Sequence, residues 1–398
     1  LLQAAPLLSA EARAEAGQRI AWAYYQLGRD ADARRVADAW RNGARGDWAA
    51  HSAWVSGLAS WRQGDCEAAS RAFREVAATS RERELGAGGY YWAARAEQAC
   101  RRPRSVAPLL KAAARSNESF YGLIARETLG LDTRLPPDPH NYSAAVESLP
   151  NVRRALELVG IGERWLAEDM LRHQARIGRP SEHHGLIEFA KRLDLAGAQF
   201  WLAHNGQPGA VSDPRDRYPL PRWAPITGWR VDPALAFAHI IQESTFRADA
   251  VSPAQAVGLM QVRPGTAQDM ARARNLPYSR GSLTDPGYNL EFGQSFIEQM
   301  RRSSATGGQL PRIMAAYNAG PTPVARWAWI PDRGDPLLWI ESIPYWETRY
   351  YVPAVFRNMW VYQGLAGADA PTLKSIAEHS WPAFPAAHTQ LPQYTGGN

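Results

Sequence analysis

Cysteine and lysine are both scarce in this chain. It has two cysteines, Cys66 and Cys100, in 398 residues, and three of its 45 basic residues are lysine: Lys111, Lys191 and Lys374. So few cysteines exclude a disulfide-dense small scaffold and a cysteine-built zinc module. No apolar run approaches the roughly 20 residues of a membrane-spanning helix. A metal site is also missing. Glu182, His183, His184 and Glu188 are neighbours, with His184 and Glu188 one helical turn apart, but neither the four ligands of a structural zinc nor the three of a catalytic one are visible. Those histidines are expected on the surface, and no metal or other cofactor is expected. The net charge is +6 and the pI near 9.4, carried by arginine spread along the chain rather than run into blocks. With no nucleic-acid module signature, the excess favours an acidic polymer or anionic surface over nucleic acid.

What is abundant is helix-forming sequence, together with 16 tryptophans. Trp22 to Gly28 is echoed by Trp54 to Gly64, and each segment runs into an alanine-rich second helix; a third echo starts at Tyr90 and ends near Cys100. Gly28 and Gly64 lie one helix–turn–helix period apart. The first third of the chain therefore reads as an α-solenoid in which each unit packs on its neighbours. Cys66 and Cys100 lie almost one repeat apart, near the turns. A bridge is geometrically possible there, and so are two unrelated buried thiols. A proline-rich connector follows at residues 135–140, helical periodicity returns over 151–205, and a second proline cluster at 218–225 marks entry to a further domain.

That domain opens on the most informative stretch. Asp232-Pro233 caps and starts a helix, and the residues from Ala234 to Ile241 are apolar except His239. A helix apolar all round is buried. It ends on a carboxylate, Glu243, where the helix dipole and burial both oppose negative charge. Such a group suits a general acid that must still hold its proton near neutral pH. The next acid, Asp249, sits between two alanines in a turn and reads as solvated. Ser252-Pro253 and Gly258 turn the chain back, and Leu259, Met260 and Gln261 follow.

The spacing from Glu243 to Ser252, Gly258 and Gln261 resembles the signature of soluble lytic transglycosylases. Three further blocks match in order: Asp285-Pro286 with Asn289, Leu290 and Gly293; residues 315–321 from Ala315 through Tyr317, Asn318 and Gly320 to Pro321; and residues 339–352, with Glu341, Pro344 and Glu347. The resemblance implies an all-α fold: a superhelical domain over 1–134, a helical linker over 135–209, a lysozyme-like catalytic domain over 210–366 and a tail over 367–398. It implies cleavage of the MurNAc–GlcNAc β-1,4 bond of peptidoglycan with Glu243 alone as acid and then base, giving 1,6-anhydromuramyl ends. Ser252 would orient the N-acetyl carbonyl, Gln261 would contact sugar, Tyr317 would hydrogen-bond near the acid, and Glu347 would meet the peptide stem. Gly258, Met260 and Asn318 would complete the cleft. Two positions depart from the pattern: Gln255 stands where glycine is frequent, and Arg263 stands where an apolar residue is frequent. Arg263 is expected to pair with a substrate carboxylate or to point outward. The resemblance further implies glycan strands and peptide stems as partners, a periplasmic location, with any export signal either removed or not included ahead of Leu1, and a Cys66–Cys100 disulfide. Peripheral association with the envelope and protein partners stay open. A hydrolytic muramidase on the same scaffold and a non-catalytic wall-binding scaffold are the competing readings.

Overall fold

The computed structural model describes residues 8–136, 145–387 and 391. Residues 137–140 of the expected proline-rich connector, and Pro392, Gly396 and Gly397 of the tail, lie outside them. Among the described residues all regular structure is helical, apart from the isolated bridges Val251–Val257 and Val257–Val262. No helix among them is long and apolar enough to cross a membrane, and no three or more His, Cys, Asp or Glu side chains are grouped to hold a metal ion.

The chain divides into two compact units, and neither is continuous in sequence. One comprises Leu1–Thr133, Thr322–Pro353 and Pro371–Ala383; the other comprises Arg134–Pro321, Ala354–Ala370 and Phe384–Asn398.

The first unit begins with helices Ala10–Gln26, Asp30–Trp40, Asp47–Gln63, Cys66–Thr79, Arg83–Ala99, Pro103–Ala113 and Phe120–Thr128, each packed on the next. A single turn design joins the pairs. Gly28, Gly64 and Arg101 each take a left-handed conformation just past a helix. The residue after each one, Arg29, Asp65 or Arg102, donates its N–H back to the carbonyl of Tyr24, Ser60 or Glu97 at 2.9–3.0 Å. This Schellman closure satisfies carbonyls the helix end leaves open and turns the chain directly into the next helix. The expected solenoid repeat is thus a repeat of turns. Small residues let the pairs approach: a Cβ on Gly57 would stand 2.6 Å from the Phe73 ring. Large rings, among them Trp92, Tyr91, Tyr25 and Phe73, fill the interior. Cys66, the first residue of its helix, is disulfide-bonded to Cys100, the cap of the next one. Closing a loop of that length contributes on the order of 3–4 kcal/mol.

Residues 322–353 also belong to this unit. Helix Pro336–Glu341 is capped by Asp335, which pairs with buried Arg95 at 2.7 Å. Glu341 accepts hydrogen bonds from the Tyr121 hydroxyl and from Trp54 Nε1. Ser342 pairs with the Tyr25 hydroxyl at 2.8 Å, and Arg349 lies 3.6 Å over the ring of Trp22.

The second unit repeats the turn twice more. Helices Pro150–Gly160 and Arg164–Ile177 are joined at left-handed Gly162, and His183–Arg192 and Ala196–His204 at left-handed Asp194. The same closing bonds run from Glu163 to Leu158 and from Leu195 to Ala190. Val152, Leu171, Leu186, Ile187 and Leu202 form their core. The surface position expected for the two histidines is corrected here. His183 is buried, with Nε2 2.8 Å from the Leu202 carbonyl. His184 lies 3.8 Å from Glu188 and 3.9 Å from the fully buried Asp216, whose charge is met by Lys191. The helices that carry the remaining motifs then follow: Pro233–Glu243, Pro264–Arg274, Pro286–Arg302 and Leu310–Ala319.

Candidate active site

Helix Pro233–Glu243 forms as its sequence dictates. The Asp232 carboxylate accepts the N–H of Ala234 at 2.9 Å and a hydrogen bond from Gln363 at 3.0 Å, and every residue from Pro233 to Ile241 is buried. Glu243, the last residue, is half-buried. The chain then breaks sharply. Thr245 and Phe246 both adopt left-handed backbone, with φ of 51° and 66°, although neither is glycine. Each costs on the order of 1–2 kcal/mol. Burial of the Phe246 ring, which meets Phe237, Trp223 and Phe200 at centroid distances of 6.2 Å, offsets that cost. The helix is therefore cut off immediately after the carboxylate.

Residues 250–262 fold into a tight loop. Gly258 donates to the Ala250 carbonyl, and Val257 and Val262 exchange backbone hydrogen bonds. Gly258 has φ of 79°, and a Cβ there would overlap the Asn289 amide and the Leu283 carbonyl, so only glycine fits. Asn289 is fully buried and clamps the loop. Its Nδ2 donates to the carbonyls of Val257 and Leu283, and its Oδ1 accepts from Met260 N at 2.7 Å. Gly293, one turn further along the same helix, leaves room for the Met260 side chain. The second sequence block thus serves to shape this loop, and Asn289 is the key residue that sequence reasoning did not single out. Its place in the block was the available signal.

Tyr317 is buried on helix Leu310–Ala319. Its hydroxyl donates to the Met260 carbonyl at 2.7 Å, and its ring centroid lies 4.5 Å from that of His239. Burial, reinforced by the nearby Glu243 carboxylate, pushes the phenol well above its ordinary value. The structure therefore brings Glu243, Tyr317 and the 258–261 loop together.

Ser252 Oγ accepts the Ala256 N–H at 3.0 Å, which ties the turn. Gln261 donates Nε2 to the carbonyls of Ala250 and Gly258 and stays partly exposed. Met260 is fully buried, so its carbonyl and packing act rather than an exposed side chain. Asn318 is half-buried beside Tyr317, and Arg263 is exposed at the start of helix Pro264–Arg274. Gln255 has φ of 62°, which explains why glycine is frequent there, and its side chain accepts from Arg280 at 2.8 Å. Asp249 is exposed, 3.8 Å from Arg247. Glu347 is exposed in the first turn of helix Trp346–Leu365, within the other compact unit.

An ion-pair network braces the scaffold. Buried Glu291 meets Arg230 at 2.8 Å and Arg274 at 3.3 Å and accepts from the Thr227 hydroxyl. Burial pushes its carboxyl up, but the Thr227 hydrogen bond and the Arg230 charge hold it below its ordinary value.

The Transglycosylase SLT domain family matches residues 224–336. The soluble lytic murein transglycosylase of Escherichia coli strain K12 is 29% identical over 277 residues, covering 65% of this chain and 41% of that protein. The Salmonella typhimurium counterpart is 28% identical over 266 residues, covering 62% and 39%. The chain thus spans about two fifths of the length of these curated relatives. Among solved structures, an inactive variant of the lytic transglycosylase Slt from Pseudomonas aeruginosa superposes with a TM-score of 0.72 at 24% identity, over 92% of this chain and 59% of that one. A 70-kDa soluble lytic transglycosylase in complex with bulgecin A gives 0.66 at 24% identity, over 89% and 60%. At these identities the structural likeness establishes the fold, which is the all-α one expected. Residues 224–336 thus match a transglycosylase SLT domain, and the chain is similar to soluble lytic murein transglycosylases.

Proposed function

We propose that the chain is a lytic transglycosylase of peptidoglycan, with Glu243 acting as general acid and then general base. The observation that carries this reading is the presentation of one half-buried carboxylate at the end of a buried helix, beside Tyr317, while the next acid in sequence, Asp249, is exposed on a surface ion pair. The helix C-terminus and partial burial favour the protonated carboxyl before reaction. Protonating the glycosidic oxygen lets the bond break. With no second carboxylate assigned as nucleophile, the substrate's own N-acetyl group stabilises the anomeric carbon. Glu243, now ionised, takes the proton from the C6 hydroxyl of the muramyl sugar, and that oxygen closes the 1,6-anhydro ring. Ser252, Gln261 and Asn318 are the side chains proposed to meet sugar in the cleft, Arg263 to pair with a substrate carboxylate, and Glu347 to meet the peptide stem. The relatives' printed names, which specify murein, support the substrate and with it a periplasmic site of action.

Mass spectrometry of digested wall fragments tests the assignment. Anhydromuramyl ends are lighter by one water than reducing ends and are expected to dominate. Mainly reducing ends would replace the transglycosylase with a muramidase on the same scaffold. No release of glycan would leave only the wall-binding scaffold.

A further inference from the structure

We infer that His239 is a positioning residue for the reaction, setting Tyr317 and, through it, the 258–261 loop relative to Glu243. The proposal rests on the reading of Glu243 above. His239 is the single polar side chain between Ala234 and Ile241, and it is fully buried. His239 lies four residues before Glu243 and therefore on the same helix face, one turn below the acid.

From there its ring meets the Tyr317 ring at 4.5 Å between centroids and 43° between planes, and Phe296 meets the same tyrosine at 5.2 Å and 59°. Two tilted ring contacts fix the orientation of Tyr317 and hence the direction of its hydroxyl. That hydroxyl donates to the Met260 carbonyl, and the Met260 N–H is held by Asn289. A continuous path of contacts thus runs from the helix that bears Glu243 to the loop that carries Gly258 and Gln261. Burial pushes His239 down to about 3, so the imidazole is neutral wherever the enzyme works and serves by its shape and dipole, not by carrying a proton. A rigid aromatic partner at this position holds the loop to the tolerance the chemistry needs, where a misplacement of about 1 Å can cost about a hundredfold in rate.

The test uses the full chain. His239→Leu keeps apolar volume but removes the ring. It is expected to lower kcat on peptidoglycan about tenfold or more while leaving KM within about twofold, and to shift the amide NMR resonances of Met260 and Gln261. His239→Phe restores a ring and is expected to recover most of kcat and the wild-type resonances. Tyr317→Phe keeps the ring contact but removes the hydrogen bond to Met260, and the double variant with His239→Leu should be no slower than the slower single variant, because both act on one path. Full kcat in His239→Leu, equal loss in His239→Leu and His239→Phe, or independent additive losses with Tyr317→Phe would each overturn the proposal. The NMR readout needs no turnover, so it separates failure of this inference from failure of the functional reading. That reading fails instead if wild type releases no glycan.

Discussion

Two glutamates in this chain are introduced by the same local grammar. Asp232-Pro233 opens an apolar helix that ends on Glu243-Ser244, and Asp335-Pro336 opens one that ends on Glu341-Ser342. Both acids sit at the dipole end that disfavours them. Their surroundings then diverge. Glu341 is only 7% exposed and accepts from Tyr121 and Trp54, partners more than 200 residues away in sequence. Burial pushes its carboxyl above the ordinary value, against the pull of the Tyr121 hydrogen bond and the Arg349 charge. Glu243 is half-buried beside a backbone break of two left-handed residues, and its neighbours are Tyr317 and the tight loop that turns at Gly258. One carboxylate is enclosed and anchors a segment; the other is presented. The lesson is that a helix-terminal acid becomes a candidate for chemistry through what is left around it, not through the helix that delivers it.

Replacing the two acids is the strongest way to break this comparison. Glu243→Gln should lower turnover by on the order of 10² to 10⁴-fold per proton-transfer step while glycan binding persists, measured by product release and by sedimentation with sacculi. Glu341→Ala should instead act on stability. It leaves the Tyr121 hydroxyl and the Trp54 N–H inside the first unit without their acceptor, at about 1–3 kcal/mol each, read as a fall in melting temperature. Turnover per folded molecule that collapsed in Glu341→Ala would erase the distinction.

The pH dependence sharpens it further. Because the folded state raises the pKa of Glu341, it binds more protons than the unfolded state between the ordinary carboxylate value and the raised one. Wild-type stability therefore falls as pH rises through that window. Glu341→Gln, which cannot ionise, should lose less stability over the same rise in denaturant titrations.

Removing the Cys66–Cys100 bridge by a double serine substitution should cost on the order of 3–4 kcal/mol in chemical unfolding. The smallest effect is expected at the loop beside Glu243. Gln255→Gly relieves left-handed strain of about 1 kcal/mol but loses the exposed hydrogen bond to Arg280, so stability should change by less than about 1 kcal/mol. A large loss would mean that the side chain, not the backbone, governs this turn.

Helix Pro233–Glu243, its Asp232 cap and its all-round burial were legible in the sequence, and so was the first solenoid, because Gly28 and Gly64 mark left-handed turns that few other residues accept. The same turn recurs at Gly162 and Asp194, but an aspartate at the left-handed position hid the repeat, and 151–205 read only as helical. His183 looked like a surface residue because nothing local announces the Leu202 carbonyl that receives it.

Caps and apolar pattern report the backbone's local free energy, so the sequence by itself determined where the helix of residues 233–243 starts and stops, that it is apolar from Ala234 to Ile241 except at His239, and that a carboxylate closes it. Tertiary structure alone decided which glutamate is enclosed, that Asn289 clamps Met260, and that Tyr317 faces His239. Those outcomes depend on partners 29 to 287 residues apart, as in the bonds from Met260 to Asn289 and from Trp54 to Glu341. Burial strengthens such hydrogen bonds and penalises their absence only once distant segments have closed around them.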